Sequence, residues 1–196
     1  MACHVGSRLD FRLMTQFWWV NHKQTARQEI ENQYLWSPKT RSDGTRTIFY
    51  DNMREASPGD LVLSYANQQI KYVGRVVEFA FTAPKPTEFG TTGTYWNQEG
   101  WLLPVFWTEL VPAVRPKDLL AILSPLLPLK YSPIRPSTGD GNQGVYLAGI
   151  SEAVGLGEFV WNQFGFSEAP TKWQTEKFAA AQCEYLNYHR TENYVT

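Results

Sequence analysis

The chain has 196 residues, enough for one sizeable domain with its own core and short of two full domains. Hydrophobic residues make up 43% and charged residues 19%, so apolar mass offsets the ordering entropy and general disorder is excluded. With 18 basic and 19 acidic side chains the net charge is -1, which excludes a polybasic binder but leaves room for one positive face.

Residues 1–13 carry Arg8, Asp10 and Arg12 with no apolar stretch between them, so they read as an extension outside the fold rather than a signal peptide. Phe17 to Asn21 (FWWVN) is aromatic and β-branched and reads as a buried first strand. Thr25 with Gln28 forms a capping box that opens a short helix to about Asn32. Tyr34 to Pro38 turns extended, because the residue before a proline is pushed out of the helical region. Lys39 to Thr47 is a polar loop in which Lys39, Arg41 and Arg46 face only Asp43.

Ser57-Pro58-Gly59-Asp60 is a turn, followed by a strand over Leu61–Tyr65 and a long antiparallel partner over Ile70–Thr82. Gly100 to Trp107 is a further strand, where Pro104 predicts an edge or a bulge. Arg115 to Leu119 begins a short helix, four prolines between Pro125 and Pro136 impose an irregular crossing, and Gly144–Ile150 is a last strand. Ser151 caps a brief helical piece, and a final helix runs from Thr171 to about Tyr188 with Phe178, Ala181, Tyr185 and Tyr188 on one stripe. Strands joined by short loops, with helices inserted rather than alternating, predict an α+β mixed barrel-like sheet. No stretch approaches the ~18 apolar residues of a membrane span. Cys3 and Cys183 lie far apart, which fits a reducing cytoplasm without a disulfide framework.

Catalytic chemistry finds little support. His4, His22 and His189 have no partners at metal-ligand spacing, and zinc, nucleophile-elbow and phosphate-loop motifs are absent. The segment from Gly139 to Gly144 is Gly-rich but precedes a strand, so it reads as a turn. The expectation is therefore no catalytic residue, no metal and no cofactor. Binding is better supported, because 15% of residues are aromatic, more ring surface than a core of this size requires. Rings cluster with small polar residues at Trp18-Trp19-Val20-Asn21-His22, Tyr34-Leu35-Trp36-Ser37 and Tyr95-Trp96-Asn97-Gln98. Rings stack on a flat ligand while the polar groups address its edges. Trp19, Trp101 and Trp107 read as core, whereas Trp36 lies between a polar helix and a basic loop and reads as functional.

The segments FWWVNHKQT, YLWSPK, NMREASPGDLVLSY, IKYVGRVV, PKPTEFG, YWNQEGW, RPKD, LLPLKYSPIRP and GNQGVYLAGI, in that order, cover about two-thirds of the chain. Together they resemble the EVE domain of the PUA-like superfamily, related to YTH readers. They are most similar to EVE domains that stand before HNH nucleases in modification-dependent restriction enzymes. The resemblance implies a PUA-like/EVE mixed β-barrel with inserted and flanking helices; the domain is expected over 14–165, and the residues 166–196, which carry no resemblance, are expected to form a C-terminal helix that packs on it or leads to a partner domain. It implies a flipped 5-methylcytosine or 5-hydroxymethylcytosine of DNA held in an aromatic cage, or N6-methyladenine of RNA in the YTH-like alternative. A nucleotide hydrolase is the weakest alternative.

Carried over by position, Trp36 and Trp96 are the cage rings, Asn21, His22 and Ser37 address the base edge, and Asn142 approaches the ligand. Trp18, Tyr34 and Ser64 complete the expected base-binding set. Lys23, Arg27, Lys39, Arg41 and Arg46, with Gln143, are the expected phosphate contacts. Extruding a base costs a few kcal/mol. One stacking ring returns about 1–3 kcal/mol, so two rings are required. No His-Asn-His constellation follows Ile150, so any nuclease effector such as HNH is expected elsewhere, in the same or another polypeptide.

Overall fold

A computed structural model of the chain describes residues 16–150. The expected N-terminal extension, the Ser151-capped piece, the 171–188 helix and the boundary at 165 lie outside the described residues.

The FWWVN run forms β1 (Phe17–Asn21), and α1 (Ala26–Glu31), β2 (Tyr34–Pro38) and α2 (Ile48–Glu55) follow. Next come β3 (Leu61–Ala66), β4 (Gln69–Val76), β5 (Phe81–Pro84) and the 16-residue β6 (Glu99–Val114). A single turn of helix, α3 (Leu120–Leu123), and the short β7 (Leu147–Gly149) complete the described fold. The strands hydrogen-bond in the order β2-β6-β4-β3-β1-β7, with β5 on β6. Among the described residues only the β1–β3 pair is parallel. The sheet curls into a mixed half-barrel with a few helices, the α+β class expected from the sequence.

Both faces of the central strands are buried, which is why β1 and β3 read as continuous apolar runs rather than alternating ones. Trp19, Leu61 and Leu63 point to one core with Leu123, Leu127 and Ile134. Trp18, Val20 and Val62 point to the other, against Leu35, Met53, Leu103, Val105 and Trp107. Trp19 and Trp107 are buried as predicted. Gly74 permits the close approach in the second core, because a Cβ there would overlap Val105 Cγ1 and the Trp107 ring. Gly74→Ala is accordingly expected to destabilise the fold by about 1–3 kcal/mol through overpacking, read by thermal or urea denaturation.

At four points the structure departs from the sequence reading or refines it. Thr25 makes no side-chain cap to the backbone; its hydroxyl donates instead to Glu29 Oε2 at 3.2 Å, a local side-chain contact one turn along α1. The long strand over 70–82 is two strands, β4 ending at Val76 and β5 starting at Phe81, which share successive lengths of β6. Pro104 lies in β6 between the stretch paired with β5 and the stretch paired with β4, so its missing N–H falls where one edge changes partner. Helix α2, to which the sequence reading assigns nothing, buries only Phe49 and Met53, too few to register as a period.

Candidate nucleic-acid interface

Residues of β2 alternate between two environments. Leu35 enters the second core, while Tyr34 and Trp36 point to the opposite face and form a third, small cluster with Phe89. Trp96 and Leu102 pack against that cluster from partly exposed positions. The indoles of Trp36 and Trp96, 60 residues apart in sequence, lie stacked with centroids 6.3 Å apart and an interplanar angle of 26°. Phe89 closes the side, edge-on to both.

Two glycines make this geometry possible. A Cβ on Gly100 would collide with the Trp36 indole and with Ser37 O. Gly93 has φ +62°, and a Cβ there would overlap the Trp96 ring. Trp36 is only 2% exposed, with Trp96 as its cover. Trp96 rides on the loop between the Thr87–Phe89 turn and β6, beside Tyr95, which is 68% exposed.

Behind β2 the backbone of Trp36 is fixed by a carboxylate. Glu29 of α1 has no exposed surface, and its Oε1 accepts the Trp36 N–H at 2.8 Å and the Tyr146 hydroxyl at 2.9 Å. Its Oε2 accepts from Thr25 and lies 2.8 Å from His22 Nε2, an ion-pair distance at an angle poor for a hydrogen bond. His22 Nδ1 meets Ser64 Oγ at 2.8 Å. Burial, and then the charge of Glu29, push the Tyr146 hydroxyl well above its ordinary range, so it remains a donor across accessible pH. The series Ser64–His22–Glu29 has the composition of a nucleophile–base–acid relay. Its members are 2%, 3% and 0% exposed, so as placed the series acts as an internal brace that no substrate reaches.

The other expected base-binding residues are likewise committed to the fold. Trp18 Nε1 donates to Asp60 at 2.9 Å. Asn21 accepts from Trp19 Nε1 and donates to Pro133 O, with a longer contact to Asn142 O, so both amide N–H groups are used and one lone pair of Oδ1 is left. Tyr34 donates to Glu88 at 2.8 Å, and burial followed by that bond raises its phenol far above the usual range. Ser37 Oγ is buried without a partner. Asn142 donates to Ser132 O and, with Gln143, borders an open hollow of about 490 Å³ lined also by Phe49, Leu127 and Tyr131. That hollow has no Trp36 or Trp96 in its lining.

Three of the five expected phosphate-binding cations are already paired: Arg27 with Glu31, Lys39 with Glu99 and Arg46 with Asp51. Lys23 and Arg41 are exposed and pair with no carboxylate among the described residues.

No protein-family model matches the chain, and no curated protein matches it. Among solved structures it is similar to a hypothetical protein from Leishmania major, at 13% identity over 78% of this chain and 97% of that one, with a TM-score of 0.47. A Pseudomonas syringae protein is similar at 13% identity over 72% of this chain and 98% of that chain, TM-score 0.43. The Pho92 YTH domain, solved in complex with m6A, is similar at 14% identity over 76% and 86% of the two chains, TM-score 0.44. No residue of the site described above takes its role from them. Among the described residues, no helix is long and apolar enough to cross a membrane.

Proposed function

We propose that this chain is a non-enzymatic, EVE-type reader of modified DNA, which takes a flipped 5-methylcytosine or 5-hydroxymethylcytosine between Trp36 and Trp96. The observation that carries this reading is the near-parallel indole pair, with one ring rigid in β2 and the other on a glycine-containing loop. Bases along a strand stack about 3.4 Å apart, so a base between two rings needs about 6.8 Å. With the centroids 6.3 Å apart and Trp36 2% exposed, Trp96 lies over Trp36 as its cover, and admitting the base requires Trp96 to swing outward on its loop.

Trp36 is the fixed wall, because Glu29 holds its N–H and Gly100 backs its indole. Lys23 and Arg41 supply cations for phosphates in the unpaired state that phosphate contact needs. The buried polar set of Asn21, His22, Ser64 and Glu29 positions the site instead of touching the base. A role in restriction, with a nuclease as effector in the cytoplasm, follows from the sequence resemblance.

Binding of the full chain to matched oligonucleotides at one salt concentration tests this: DNA with cytosine, 5-methylcytosine or 5-hydroxymethylcytosine, and RNA with adenine or N6-methyladenine. The expected result is tighter binding of a modified cytosine in DNA. Equal affinity across the panel overturns the reader, and preference for the methylated RNA overturns the choice of base. Trp96→Ala is expected to weaken binding of the modified DNA by about 1–3 kcal/mol, the worth of one stacking ring, while the fold survives because the ring is only partly buried. Isothermal titration with a parallel thermal melt reads both.

A further inference from the structure

The sequence places Trp101 in the core, yet its ring is only partly buried and two cations lie against it. Lys39 Nζ is 4.5 Å and Arg54 Cζ 5.1 Å from the ring centroid. Lys39 follows β2 directly and Arg54 sits in the last turn of α2, so the β2–α2 connection returns the chain to the same indole. Lys39 also pairs with Glu99 at 2.6 Å, an exposed pair of the weak kind that a stronger anion displaces. Arg54 pairs with no carboxylate among the described residues. Its guanidinium is held by the ring, with its N–H donors left to solvent.

Ser37 stands directly opposite Trp101 in the β2–β6 register, so the two side chains share a face. Its side chain is buried, so the groups on this face that a ligand meets are the partly exposed ring and its two cations. A guanidinium fixed on an indole presents a planar fork matched to a phosphate, and the cations against the ring oppose its use as a stacking platform. Ser37 adjoins Trp36 on the edge strand β2, whose ladder has β6 on one side only, and successive residues of a strand face opposite ways.

We infer that Arg54 and Lys39, arranged on Trp101, bind a phosphodiester of the strand whose modified base lies against Trp36. This site rests on the reader proposed above. A strand passing the Pro38 end of β2 places its base on one face of the sheet and its phosphate on the other. Arg54 thereby adds a cation without a carboxylate partner to a set in which Arg27, Lys39 and Arg46 are each paired.

The test compares wild type, Arg54→Gln and Arg54→Lys for binding of a DNA duplex carrying one 5-methylcytosine and its unmodified twin, between 50 and 200 mM salt. One phosphate contact contributes about 0.9 to the slope of log K against log salt. The affinity ratio of wild type to Arg54→Gln is therefore expected to shrink about threefold over that range, equally for both duplexes. Arg54→Lys keeps the charge and is expected to keep the wild-type slope. Parallel salt lines for wild type and Arg54→Gln, with preference for the modified duplex intact, overturn the phosphate site and leave the indole cage standing. A changed slope with no preference in the wild type overturns the cage and leaves the phosphate contact standing.

Discussion

Trp36→Ala is expected to lower folding stability by about 3–5 kcal/mol, the cost of truncating a buried tryptophan. For a chain of this size that corresponds to a fall in Tm of about 6–20 °C. The ring is 2% exposed, touches Phe89 and Trp96, and fills the space above Gly100, so its removal leaves a cavity that the β2–β6 ladder cannot collapse into. From the sequence alone the opposite outcome is expected, a small stability loss, because Trp36 has few apolar neighbours along the chain. Its packing partners come from residues 83–102 instead. The comparison that isolates the binding role is Trp36→Phe, which keeps most of the packing. Its folded fraction should remain high in a thermal melt while affinity for modified DNA falls, and a Trp36→Phe protein that binds as well as wild type would falsify the stacking role.

Glu29→Ala is expected to be at least as damaging, about 3–5 kcal/mol, since removing one partner leaves the others buried and unpaired. The Trp36 N–H, the Tyr146 and Thr25 hydroxyls and His22 all converge on this one side chain. Glu29→Gln retains an acceptor for Trp36 and Tyr146 and is expected to cost less, about 1–3 kcal/mol. Urea denaturation of the two variants reads the order. A Glu29→Ala protein as stable as wild type would show that the convergence holds nothing together. Because Glu29 acts on the Trp36 backbone, Glu29→Gln should keep its preference for a modified base per folded molecule.

Much of the architecture is legible along the chain. FWWVN and LVLSY are strands because their side chains are β-branched and aromatic, and their unbroken apolar character reports burial on both faces. Pre-proline sterics hold Ser37 extended, whereas α1 ends earlier, at Glu31, ahead of Gln33 with φ +60°. The short α2 escapes notice, since two buried residues are no periodicity.

The site divides along a different line. Rings concentrated beside polar residues mark Trp36 and Trp96 as unusual in the sequence, since composition is a local property. Which polar side chains remain open to a ligand is a property of tertiary distances. Asn21, His22 and Ser64 look like base-edge groups in sequence and turn out bonded to Pro133, Glu29 and one another. Lys39, Arg41 and Arg46 form one basic run in sequence, yet Glu99 and Asp51 neutralise two of them. Arg54 gives no local signal and reaches Trp101 only because α2 folds back over the β2–β6 edge. The sequence by itself determined most of the strands, the α+β class and the aromatic character of the candidate site, but not the break that separates β4 from β5. Strand register and helix placement decided which charges and amides meet one another, because hydrogen bonds and ion pairs depend on separations of about 3 Å that residue spacing along a chain does not encode.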